Sequence, residues 1–199
     1  MLPFARATDA LDKLIDRDQD FRLLGTGFGF TEGPAWNTPG NYLVFSDIPG
    51  DRRWRWSEQR GMELVVAEKE FEQPNGLCFS PDESILYIND RRDLKAYDAA
   101  PDGSLSNVRV VHDDMGSAGT PGNGNPDGME CDEHGNVWCT ARGGIWVIAP
   151  SGDLLGIIET PEVSGSLVWG GADMRSLFVC TSTTMHMIRT KVSTAPLPY

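Results

Sequence analysis

The feature that most constrains this chain is an internal repeat. Four stretches can be laid over one another: Glu32 to Val66, Asn75 to Val111, Asp127 to Thr160, and a shorter one that starts at Gly165. Each opens with a polar or small residue followed by Gly or Ser. An apolar strand comes next, then a turn of the PD, DEHG or GAD kind, and then a second apolar strand. In the first three a third strand ends in an aromatic (Trp56, Tyr97, Trp146) and leads through another turn into a fourth. The starting points are 43, 52 and 38 residues apart. Four short strands per unit of about 40 to 50 residues is the arithmetic of a β-propeller blade. The expected fold is therefore all-β, a propeller of about four blades.

The strands are explicit in the residues: YLVFSD at 42–47, ILYIND at 85–90, NVWCTA at 136–141 and SLFVCT at 176–181. They are rich in β-branched and aromatic side chains and bounded by Gly, Pro, Asp and Asn, which supply turn conformations. The 22 Gly and 13 Pro of the 199 residues are spread along the chain in that role. One helix is predicted, short and amphipathic, over residues 7–17, where Ala10, Leu11, Leu14 and Ile15 fall at helical spacing. The expected organisation is a lead-in over 1–27, the propeller over 28–192, and a tail over 193–199.

Seventeen Lys and Arg against 29 Asp and Glu give a net charge of −12, which argues against nucleic acid or an anionic membrane as partner. No run reaches the roughly 18 apolar residues of a membrane span. Asp9, Asp12, Asp16, Asp18 and Asp20 stand where a secretory leader would be apolar, so the expected location is cytoplasmic. Cys78, Cys131, Cys139 and Cys180 form no CxxC pair and sit in apolar runs, as buried reduced thiols would. His112, His134 and His186 are scattered, no G-x-S-x-G occurs, and Gly122, Gly124 and Gly128 lack dinucleotide-loop spacing. Arg52, Arg53, Arg55 and Arg60 interleave with Trp54 and Trp56, read here as alternate faces of a strand.

In a propeller the first strand of each blade lines the central channel, so equivalent residues of successive blades face one another around the axis. Glu32, Asn75 and Asp127 occupy that one position, each directly before a glycine. Any one such pair alone reads as a turn. Three in register supply only oxygen donors, which suits Ca²⁺, Mg²⁺ or Mn²⁺, with Zn²⁺ also within range.

FTEGPAW (30–36) with YLVFSDIP (42–49), QPNGLCFSPDESILYIND (73–90), PDGMECDEHGNVWCTARGGIWVIAPSGDLLGIIETPE (126–162) and GGADMRSLFVCTSTTMHMIRTKV (170–192) together resemble the gluconolactonase, regucalcin (SMP-30) and luciferin-regenerating family. The resemblance runs in the family's order from Phe28 to Val192. It implies a six-bladed propeller that hydrolyses sugar lactones with one divalent cation, Ca²⁺ first among the candidates. It also implies that Glu32, Asn75 and Asp127 are metal ligands and that Asp127 acts as general base. The chain departs from the pattern in one respect. The family's N-S-P-N-D-V motif, which supplies a fourth ligand and a nearby substrate-contacting Arg, is not found. About two blades are absent, since RWRWSEQRGMELVV leads directly into EKEFEQPNGL. The competing expectation is a truncated propeller, impaired as an enzyme, that binds metal or a partner or pairs with a second copy through exposed blade edges.

Overall fold

The computed structural model describes residues 22–47, 49, 52–66, 73–116 and 122–195; the predicted helix over 7–17 lies outside them. Fifteen strands form four antiparallel sheets, each a meander in chain order. Blade 1 holds β1 (Thr31–Asn37), β2 (Tyr42–Asp47), β3 (Arg52–Ser57) and β4 (Gly61–Val66). Blade 2 holds β5 (Pro74–Phe79), β6 (Ile85–Asp90), β7 (Asp93–Ala99) and β8 (Leu105–His112). Blade 3 holds β9 (Met129–Cys131), β10 (Val137–Ala141), β11 (Gly144–Ile148) and β12 (Leu154–Glu159). Blade 4 has three strands, β13 (Ser164–Gly170), β14 (Ser176–Thr181) and β15 (Met185–Arg189). The second strand of three blades falls on the residues expected for it, and in blade 3 it begins one residue later.

The first strands β1, β5, β9 and β13 pack on one another in that order around the axis. Among the described residues no comparable packing joins β13 back to β1, so the four blades form an open arc. Three apolar layers hold the arc together, one per blade junction. Tyr42, Val44, Leu77, Leu86 and Ile88 fill the first, and Tyr87, Leu94, Met129, Val137 and Cys139 belong to the second. In the third, Trp138 and Ile145 meet Leu167, Trp169 and Leu177, with Trp138 and Trp169 edge to face at 5.3 Å. Burial of each such side chain contributes roughly 1.5–3 kcal/mol, so each junction outweighs any single turn or ion pair.

The two ends of the arc differ. Alternation along β3 turns Arg53 and Arg55 inward toward blade 2, where Arg55 donates to the Asp102 carbonyl at 2.6 Å and lies over the Tyr42 ring. Trp54 and Trp56 therefore face away, and the 22–30 segment partly covers them: Phe28 packs edge-on against Phe45 and Trp54, both at 5.3 Å. The outer face of blade 4 carries exposed Val168, Met185 and Met187. Cys180 lies on this face in register with Met185 and is exposed, which corrects the expectation of four buried thiols. Cys78, Cys131 and Cys139 are buried and free. The sequence around Cys180 is as apolar as theirs, but among the described residues no blade packs on its face.

Candidate functional site

At one end of the channel the first strands open with a shared irregularity. Register shifts occur between Glu32 and Ala35 in β1, between Pro74 and Leu77 in β5, and between Ser164 and Ser166 in β13. A bulge bends the strand and re-aims the side chains beside it, which is how a channel-lining strand can present a ligand at its mouth. Blade 3 does the same with backbone bonds: Asp127 N–H donates to the Thr140 carbonyl at 2.9 Å, and Thr140 N–H donates to the Gly128 carbonyl at 3.0 Å.

The glycine after each candidate ligand is constrained, at Gly33 by backbone conformation and at Gly76 and Gly128 by close neighbours. Gly33 sits in the left-handed region at φ 59, which side chains rarely adopt, and its Cβ position lies in ordinary contact, 3.8 Å, with the Asn75 carbonyl oxygen of the next blade. At Gly76 a Cβ would collide with the carbonyl oxygen of Asp127. The Glu-Gly, Asn-Gly and Asp-Gly pairs are thus successive members of one ring. The structure brings Asn75 and Asp127 together: the Asn75 amide lies beside the Asp127 carboxyl, across the junction of blades 2 and 3, and favours its charged form. Glu32 follows one blade earlier, its backbone opposite Ser46. Its side chain lies outside the described residues.

Burial raises the Asp127 carboxyl above the usual carboxylate range, and the Asn75 amide and Gly128 N–H partly offset that rise. A half-buried carboxylate next to an amide is a donor set that fits a hard divalent cation, because the cation would offset the desolvation that now raises Asp127. Among the described residues no three His, Cys, Asp or Glu side chains gather into a metal cluster. A cation would rest on Asp127, the Asn75 amide and whatever Glu32 adds.

Carboxylates that sequence reasoning overlooked support this end of the channel. Asp47, at the end of β2, accepts from Gly29 N–H at 2.9 Å and Phe30 N–H at 3.2 Å, just ahead of Glu32. Asp90, at the end of β6, accepts from Gln73 N–H at 2.7 Å, just ahead of Asn75, and pairs with Lys95 at 2.6 Å. Both are buried. The signal was present as the repeated Asp that closes YLVFSD and ILYIND.

Two cavities lie near these strands, and Asn75 and Asp127 line neither of them. One of about 560 Å³ lies beside the loop that leads into Asp127 and is lined by Asn123, Gly143, Glu159, Thr160 and Glu162 among others. The other, about 200 Å³, lies along the axis between β1, β5 and β9 and is lined in part by Glu130. Burial pushes the Glu130 carboxyl up to about 7.

Residues 59–183 match the family described as SMP-30/Gluconolactonase/LRE-like region. A gluconolactonase of Zymomonas mobilis is 34% identical over 139 residues, which cover 64% of this chain and 38% of that protein. The pentonolactonase XacC of Haloferax volcanii is 31% identical over 140 residues, covering 69% of this chain and 47% of the relative. The chain thus spans less than half the length of these relatives. Among solved structures, a calcium-binding protein, regucalcin, from Agrobacterium tumefaciens superposes with a TM-score of 0.62 at 19% identity, over 77% of this chain and 55% of that one.

Proposed function

This chain belongs to the SMP-30/gluconolactonase/LRE-like family, and from that premise we propose that it hydrolyses a sugar lactone at the mouth of its channel, with Asp127 as the central residue. The observation that carries the reading is the close packing of the Asn75–Gly76 turn on Asp127, which sets an amide and a carboxylate from adjacent blades side by side where the repeat puts its oxygen donors. The relatives named gluconolactonase and pentonolactonase support the substrate class.

Asp127, Asn75 and Glu32 would hold one divalent cation, and the calcium-binding regucalcin of like fold makes Ca²⁺ the first to try. When bound, such a cation supplies Lewis acidity toward an ester carbonyl. The chain's own groups do the rest. Asp127 takes the proton from the attacking water, a role that suits a carboxylate whose proton affinity burial has raised. The Asn75 amide beside the Asp127 carboxylate favours its charged form. The cavity beside Asn123, Glu159 and Thr160 offers polar groups to the substrate hydroxyls.

The test is hydrolysis of glucono- and pentonolactones by the purified chain with added Ca²⁺, Mn²⁺ or Zn²⁺. Turnover that EDTA abolishes and Asp127→Ala lowers by a hundredfold or more is the expected result. Turnover that is indifferent to EDTA, or that survives Asp127→Ala, would refute the assignment.

A further inference from the structure

We infer that Asn89 is the residue that positions Asp127, by tying the Asn75–Gly76 turn of blade 2 to the Asp127 backbone of blade 3. The inference deepens the lactonase reading and rests on it for the identity of Asp127 as the working carboxylate.

Asn89 lies in β6, one strand out from the channel, and is fully buried. Its Oδ1 accepts from Gly76 N–H at 3.1 Å, and its Nδ2 donates to the Asp127 carbonyl at 2.6 Å. The Met129 and Cys139 sulfurs lie 3.5 and 3.4 Å from the same Nδ2. The partners fix which end of the amide is which, since a backbone N–H can only donate and a carbonyl can only accept. Gly76 and Asp127 are in contact here, so one planar amide spans the closest approach of the two blades. Few side chains can replace it. A single hydroxyl has one proton to donate and an ionised carboxylate would face the Asp127 carbonyl with like partial charge, whereas the amide offers a separate donor and acceptor.

The equivalent residues of the neighbouring blades make the point by contrast. Ser46 and Thr140 hold the same next-to-last place in β2 and β10. Thr140 Oγ1 reaches the Gly128 carbonyl of its own blade at 3.1 Å and the Gly165 carbonyl of the next at 3.3 Å. Among the described residues buried Ser46 Oγ has no hydrogen-bond partner, although the Asn75 carbonyl lies near Gly33 beside it. Of these three residues, Asn89 is the one that joins two candidate ligand positions. Removing it frees Asp127 to shift relative to Asn75, and ligand sets and proton acceptors lose function with displacements well under 1 Å.

The experiment compares Asn89→Leu and Asn89→Asp with Asn37→Ser in the full chain. Asn37 is equally buried at the opposite end of blade 1, where it accepts from Gly40 N–H and donates to the Glu83 carbonyl of blade 2. It is therefore a control for loss of a buried inter-blade amide as such. Calcium affinity by calorimetry should fall tenfold or more in Asn89→Leu and stay within twofold of the parent in Asn37→Ser. Asn89→Asp should bind poorly at pH 8 and recover toward the parent at pH 5.5, because a protonated carboxyl again presents one donor and one acceptor. In the metal-free chain, carboxyl carbon NMR should show the Asp127 titration displaced in Asn89→Leu and unmoved in Asn37→Ser. Parent-like calcium affinity and an unmoved Asp127 titration in Asn89→Leu would overturn the inference, as would an equal loss in Asn37→Ser. If the parent itself neither binds calcium nor hydrolyses a lactone, the functional reading falls, and the metal-free titration still decides the role of Asn89.

Discussion

Glu130→Gln should make the protein more stable in alkali while leaving it nearly unchanged in acid. Glu130 sits in the middle of β9, lines the axial cavity and is raised by burial from 4.5 to about 7. A folded-state value above the unfolded one means that, between the two, the unfolded chain releases its proton while the folded chain keeps it. Folding stability therefore declines as pH rises from about 4.5 to about 7 and levels off above. At about 1.4 kcal/mol per unit, the carboxylate costs the folded state on the order of 3 kcal/mol at pH 8.5 and under about 1 kcal/mol at pH 5. Partial exposure to the cavity makes this an upper bound. Urea unfolding in EDTA at both pH values measures it. The glutamine amide carries the same desolvation at either pH, and Asp127 titrates in both proteins, so these effects cancel in the double difference. The expected gain of Glu130→Gln over the parent is about 1–3 kcal/mol larger at pH 8.5 than at pH 5. For a chain of this length that is a difference in melting temperature of roughly 3–10 °C. A gain equal at both pH values would show that Glu130 is hydrated, and that the axial cavity is not the apolar environment its lining implies.

Three further outcomes follow from the same geometry. Gly76→Ala places a Cβ against the Asp127 carbonyl, so it should destabilise by about 1–3 kcal/mol and, in calorimetry, weaken calcium binding, whereas Gly156→Ala, with open space around it, should do neither. Leu177→Ala opens a cavity between blades 3 and 4 and should cost about 2–5 kcal/mol in urea unfolding, since Leu177 is fully buried. Asp90→Asn removes the negative partner of Lys95 and weakens the acceptor for Gln73 N–H; slower lactone turnover with nearly unchanged KM is expected, and a change confined to KM would argue against it.

The sequence was informative where a property belongs to one strand or one repeat. YLVFSD, ILYIND and SLFVCT became β2, β6 and β14 to the residue, because alternation and flanking turns are local. The repeat aligns Glu32, Asn75 and Asp127 in the sequence, and the packing of the Asn75–Gly76 turn on Asp127 shows two of those positions side by side. What was hidden depends on two blades at once. Nothing around Asn89 distinguishes it from any other polar residue at a strand end until blade 3 places the Asp127 carbonyl against it. Alternation in RRWRWS predicted two faces but not that the arginines would be the inward ones; the acceptor at Asp102 in blade 2 decides that. Cys180 and Cys139 stand in similar local sequence, and what separates them is that a neighbouring blade packs over Cys139 while none of the described residues covers Cys180.

The same distinction bears on whether a four-bladed arc can keep a working site. Asn75 and Asp127 belong to blades 2 and 3, the two blades packed on both faces, and the amide of Asn89 spans the junction between them. Their mutual position is therefore set by contacts that a break elsewhere in the ring leaves intact. Glu32 belongs to blade 1, which has one packed face and one covered in part by the 22–30 segment. An open arc should then act first on Glu32, the proposed ligand from blade 1, and last on Asn75 and Asp127. Calcium titration separates the two. If the arc loosens blade 1, Glu32→Gln should change calcium affinity less than threefold while Asp127→Asn abolishes binding. If Glu32 is held as firmly as in a closed ring, both substitutions should abolish it, and the packing of β1 on β5 would by itself be sufficient to complete the ligand set.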